Sequence, residues 1–241
     1  MLKLNRMTFK ADSSGFSILE MAIVMVIVGT ILGGLLVSFS SVEERNRRTD
    51  AVSTLEEIKE ALYGFAQVNG RLPCPATAGS VGLADPAIAG ACTRQHGFVP
   101  WSTLGLSGTI NDDELLVDGW LSPYRYSVTT SNGAAFTTSI SAITPLTNLA
   151  PDLEICDDAA CGTTLFDSAP AVIYSLGADW DAFSSADEVE NSGETTVAGY
   201  RMANDLRFVS TGYIEDTFDD LITWISPSIL YTRMIAAGQL P

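Results

Sequence analysis

Apolar residues run almost without interruption through positions 16–39, with Glu20 the one charged side chain among them. A bilayer core asks for about 20 such residues in a row, so the first expectation is a transmembrane helix over 16–39. The pattern then changes. Between 40 and 68, Val52, Leu55, Ile58, Leu62 and Phe65 recur at steps of three and four. Glu43, Glu44, Arg45, Arg47, Arg48, Glu56, Glu57 and Lys59 fill the other faces, as in an amphipathic helix. No proline interrupts 16–68, which predicts one helix of roughly 50 residues, about 75–80 Å long. Asn69-Gly70 marks its end, with Pro73 just beyond.

Residues 70–97 are rich in proline, glycine and alanine and read as a long loop. Strand-like runs follow at 124–130, 135–140 and 171–176, and Asn132-Gly133 between the first two is a hairpin signal. A fourth strand is expected at 207–210 and a terminal helix at 228–237, while 219–225 fits strand or helix equally. The fold class is therefore α+β, with the long N-terminal helix packed on a C-terminal antiparallel β-sheet domain with long loops. About 200 residues after the apolar run suffice for one domain with its own core.

Glu20 needs a reason, because a carboxylate in hydrocarbon costs about 2.5 kcal/mol or more. A secretory signal peptide carries an apolar stretch of about 7–15 residues and a small-residue cleavage site. The run here is longer, and no Ala-x-Ala site follows Phe39. A plain anchor explains the length but neither Glu20 nor the step from Gly15 to Phe16. The stretch Gly15-Phe16-Ser17-Ile18-Leu19-Glu20, leading into an apolar helix, resembles the N-terminus of type IV pilin and type II secretion pseudopilin precursors. The resemblance implies a pilin-like fold and cleavage by prepilin peptidase after Gly15, with N-methylation of the new terminus at Phe16. It also implies that Glu20 pairs with the free amino group of a neighbouring subunit during assembly.

On this reading residues 1–15 are a cleaved leader and 16–39 a transmembrane and filament-core helix. Residues 40–69 continue that helix, and 70–241 form a periplasmic globular domain. Lys3, Arg6 and Lys10 precede the apolar run against Asp12 alone, which keeps the leader cytoplasmic. The expected location is the bacterial inner membrane, single-pass, and afterwards a pilus or pseudopilus filament. Implied partners are other pilin or pseudopilin subunits, prepilin peptidase, the inner-membrane assembly platform and the membrane. Cleavage removes three basic residues and one acidic one, so the net charge of −16 becomes −18. That charge opposes phosphate contacts, and no nucleic-acid partner is expected.

Cys74, Cys92, Cys156 and Cys161 all follow the apolar run, an even count that suits two disulfides in an oxidising compartment. Of three possible pairings, Cys74–Cys92 and Cys156–Cys161 each close a short local loop and are favoured. Tyr174-Ser175-Leu176-Gly177-Ala178-Asp179 resembles the Ser-Leu-Gly-Ala-Asp loop of major pseudopilins, where calcium stabilises a C-terminal loop. The resemblance carries the Leu176 carbonyl and the Asp179 carboxylate over as ligands, and Asp187 is taken as a third from the acidic residues that follow. Trp180 stands where that family usually has glycine, and a solvated acidic turn is the plain alternative. Residues 117–126, with Leu121 at a position the same pseudopilins give to glycine, read as a structural turn.

No nucleophile elbow, phosphate loop or zinc motif is present, and His96 beside Gly97 reads as a surface or loop-packing residue. An enzyme is not expected. The expectation is a structural subunit, minor or specialised, of a type IV pilus or type II secretion pseudopilus. The alternative is an adhesin or ligand-binding minor pilin that displays its globular domain on a filament.

Overall fold

The computed structural model describes residues 17–183, 185–193, 201–202, 205–214 and 217–241, with backbone alone for 32–41. Helix α1 is Ile18–Asn69, 52 residues long. The chain divides into two compact units, Met1–Asn46 and Arg47–Pro241.

In the first unit Ser17 caps α1. Its Oγ accepts the Leu19 N–H at 3.3 Å, and Glu20 sits in the first turn, where the helix dipole favours a carboxylate. Side chains 18–31 are exposed on every face, among them Ile18 (90%), Leu19 (69%) and Met25 (68%). Here the membrane expectation is overturned. Among the described residues no helix is long and apolar enough to cross a membrane. From 42 onward α1 is dense with charge. The transmembrane first half of the helix, and with it the single-pass inner-membrane location, is withdrawn.

The second unit holds the remaining elements. In order they are β1 (His96–Phe98), α2 (Trp101–Leu104), β2 (Thr109–Ile110), β3 (Leu116–Val117), β4 (Arg125–Val128) and α3 (Ser131–Thr138). They are followed by β5 (Leu153–Cys156), β6 (Thr164–Ala169), β7 (Ala171–Ser175), α4 (Ala186–Ser192), β8 (Arg207–Val209), β9 (Leu221–Trp224) and α5 (Pro227–Ala236). One sheet has the order β1-β4-β7-β9, antiparallel throughout. A second has the order β6-β5-β8, in which β5 and β8 run parallel. Strands β2 and β3 pair as a small hairpin. The unit is α+β with an antiparallel main sheet, and the parallel pair is an addition that local alternation could not signal.

The helix face that enters this core is Ala51, Leu55, Ile58, Leu62 and Ala66, with Tyr63 beside it. Val52 is exposed and Phe65 only half-buried, so the buried stripe is turned slightly from the one expected. Gly70, at φ +68°, ends α1 in the left-handed conformation, its N–H bonded to the Ala66 carbonyl. Strand β7 is buried on both faces. Ala171 and Ile173 join the α1 core, whereas Val172 and Tyr174 join a second core with Leu153, Ile155 and Phe208. Helix α5 starts at a proline and buries Leu230 and Met234 in the first core.

Two sequence expectations fail in this unit. Residues 135–140 do not form a strand hairpinned to 124–130. Asn132, Gly133 and Ala134 do take left-handed angles, but three in succession make a left-handed turn that continues into α3. Strand β4 is already paired on both sides by β1 and β7, so no edge was open to 135–140. His96 is not a loop or surface residue: it lies in β1 and is 2% exposed. Residues 219–225, left open in sequence, contain β9. Both expected disulfides, Cys74–Cys92 and Cys156–Cys161, are formed.

Candidate functional site

Where β7 ends, the chain turns at Leu176-Gly177-Ala178-Asp179 and meets two other segments. Gly177 has φ +67°, and a Cβ there would lie 2.0 Å from Asp219 Oδ1, so only glycine fits. Ala178 N–H donates to Asp219 Oδ2 at 2.6 Å. From the third direction comes α4, whose start is a complete capping box. Ser185 Oγ accepts from Glu188 N–H, and Glu188 Oε2 accepts from Ser185 N–H at 3.0 Å. The cap holds Glu188 buried and in place. The result is three carboxylates, from Asp179, Glu188 and Asp219, with ligand oxygens within 4.8 Å of one another.

Like charges at that range repel, and burial strengthens the repulsion. The Asp179 carboxyl is pushed up to about 7, first by burial and then by the charges of Asp219 and Glu188. Asp220, next in sequence, is 4% exposed, and burial drives its pKa well up. Its Oδ2 accepts from Asn191 Nδ2 at 2.7 Å, which opposes the shift, whereas its Oδ1 has no partner among the described residues. Asp179 Oδ1 is likewise buried without one. A hard divalent cation relieves this arrangement, because calcium takes six to eight oxygens from carboxylates and carbonyls on adaptable loops. The donor set is all oxygen and drawn from three separate segments, which suits such an ion.

Of the residues singled out in sequence, Asp179 is in this group and Leu176 lies fully buried just ahead of it. Asp187 is elsewhere: its Oδ1 accepts from Ala159 N–H at 2.8 Å, tying α4 to the loop that carries Cys161. Its neighbour Glu188 takes the place expected of it. Asp219 was missed, and no local signal marked it. Asp118 anchors the 117–126 turn, accepting from Trp120 and Ser122 N–H groups at 2.9 Å and from Ser175 Oγ at 2.5 Å. Burial pushes its carboxyl up, which these bonds oppose. Leu121 at the tip takes φ +68° with its side chain 61% exposed.

The cleavage and methylation positions Gly15 and Phe16 lie outside the described residues. Glu20 is exposed in the first turn of α1, three residues after the capping Ser17. The Ser17-x-x-Glu20 spacing is that of a capping-box sequence, and Ser17 Oγ accepts from the Leu19 N–H. Comparison of the chain with models of known protein families, with characterised proteins and with solved structures returns no match.

Proposed function

We propose that the chain is a structural subunit of a filament of the type IV pilus or type II secretion pseudopilus kind, assembled through the N-terminal part of α1. One observation carries this reading. Residues 18–31 present apolar side chains on every face of a helix and leave them in water. A helix apolar all round needs cover on all sides, and each large side chain covered contributes about 1.5–3 kcal/mol. Copies of the same helix, packed around one another, supply that cover symmetrically.

Within such a bundle Glu20 meets the amino group of a neighbouring copy, cut between Gly15 and Phe16 by prepilin peptidase and methylated at Phe16. An opposite charge in the same apolar layer makes a buried carboxylate tolerable. The role is structural rather than catalytic, and that of a minor or specialised subunit. The Asp179–Glu188–Asp219 group holds a divalent cation, of which calcium fits best, and so pins α4 and the 219–220 segment to the end of β7. The account is tested in cells producing the full chain. Glu20→Ala protein is expected to fold and accumulate but to be lost from the sheared filament fraction. Equal recovery of variant and wild type in that fraction refutes the pairing.

A further inference from the structure

The first turn of α4, which brings Glu188 to the acidic group, is braced by the loop that joins β5 to β6. Asp187 Oδ1 accepts the Ala159 N–H at 2.8 Å, and Glu188 is the next residue along the helix. The far end of α4 is anchored separately. Asn191 accepts the Val209 N–H at 2.7 Å and donates to the Val209 carbonyl at 2.9 Å. With that end fixed on β8, the bearing of the first turn depends on where Ala159 stands.

The Cys156–Cys161 disulfide fixes that place. It closes residues 156–161 into a ring whose first member belongs to β5, with the Cys156 carbonyl accepting the Ser210 N–H at 2.9 Å. Cys161 has φ +54°, a left-handed angle that a non-glycine residue keeps only while its surroundings impose it. Its N–H donates to the Asp158 carbonyl at 2.9 Å, so the turn that carries Ala159 closes on this same residue. Once the bridge is open, Cys161 can return to an ordinary backbone angle, and the turn with Ala159 shifts with it. The two cysteines differ in access. Cys156 is 1% exposed, whereas Cys161 is half-buried and is the side on which an incoming thiolate approaches.

We propose that the Cys156–Cys161 disulfide sets the affinity of the Asp179–Glu188–Asp219 group for its cation, acting through Ala159 and the positioning residue Asp187. This rests on the cation reading above. The reductant is a dithiol. One of its thiolates attacks Cys161 Sγ, and Cys156 leaves as a thiolate and takes a proton. The second thiol then attacks the reductant's own sulfur in the mixed disulfide, releasing Cys161, which is protonated in turn. The protein gains two electrons and two protons, and the dithiol becomes a disulfide. The capping box still holds Glu188, so the cation site loosens rather than vanishes. Coupling is reciprocal, so a bound cation protects the bridge by the same factor.

The test is calcium titration of the full chain. Cys156→Ser with Cys161→Ser, which keeps Cys74–Cys92, should bind calcium about tenfold more weakly than wild type. Asp187→Ala, which keeps both bridges, should bind about tenfold more weakly too, and all three changes together should cost no more than either. A mere loss of charge at Asp187 would instead persist in the chain without the bridge. In wild type, saturating calcium should shift the dithiol-to-disulfide ratio that half-reduces Cys156–Cys161 by about tenfold, or about 30 mV. Wild-type affinity in the cysteine variant or in Asp187→Ala, losses that multiply, or a reduction midpoint indifferent to calcium each overturns the coupling and leaves the cation reading standing. A wild type that binds no calcium overturns both.

Discussion

Removing calcium should destabilise this protein most at high pH, and the carboxylates around Asp179 set the sign. The unfolded carboxyl titrates near 3.8, while in the folded protein Asp179 titrates near 7. Between those values the unfolded chain has released its proton and the folded chain has kept it. Without metal, stability therefore falls as pH rises through this window. Three units correspond to at most roughly 4 kcal/mol, and partial exposure of Asp179 screens this to about 1–2 kcal/mol. A bound divalent cation reverses the trend, adding about 2.7 kcal/mol at a hundredfold excess over Kd. For a chain of this size that raises Tm by roughly 5–10 °C. The assay is a thermal melt of the full chain at about pH 5 and about pH 8, in chelator and in about 1 mM calcium. The calcium gain should be large at the higher pH and small at the lower. Asp179→Asn should melt higher than wild type in chelator at about pH 8 and gain little from calcium. A variant that gains as much as wild type, or a wild type indifferent to calcium at the higher pH, refutes the reasoning.

Other consequences are as concrete. Gly177→Ala places a Cβ against Asp219 at a positive φ, and should cost about 1–3 kcal/mol in chemical denaturation and abolish the calcium response. Leu121→Gly removes a left-handed leucine whose side chain is mostly in water, and should stabilise by about 0.5–1 kcal/mol in the same measurement. His96 titrates near 3 folded against 6.5 unfolded, so its contribution is complete above pH 6.5 and lost as pH falls towards 3. Across that range wild type should lose roughly 4 kcal/mol more than His96→Phe, read as the difference between their stability–pH curves. Breaking the 18-residue loop with Cys74→Ser and Cys92→Ser together should cost about 3 kcal/mol.

Local rules read some of this molecule well. Leu55, Ile58 and Leu62 repeat at helical spacing because one face of α1 is buried, and burial is what periodicity reports. Gly70 ends the helix for a reason confined to its own backbone. The cysteine pairs close short loops, so proximity in sequence was proximity in space. What failed was decided at long range. Asn132-Gly133 does adopt left-handed angles, but whether such a turn makes a hairpin depends on β7, which had taken the free edge of β4. Glu188 rather than Asp187 faces the acidic group, because a capping box, one residue in register, sets which side chain points inward. Asp219 is 40 residues from Asp179 in the chain and is brought to it by the pairing of β7 with β9 and the Ala178 N–H bond to its carboxylate. The apolar run, read in sequence as a membrane span, lost that reading because among the described residues no helix is long and apolar enough to cross a bilayer.

The claim that copies of the chain cover one another's apolar helix is tested most directly by a photo-reactive residue at Ile23 or Ile27 of the full chain. Both side chains are half exposed in the single chain, at 52% and 51%. Irradiation of assembled material should give a ladder of covalent multimers joined through residues 18–31 of neighbouring copies, and Glu20→Ala should remove it. Monomer alone after irradiation, or a ladder that Glu20→Ala leaves intact, contradicts the account.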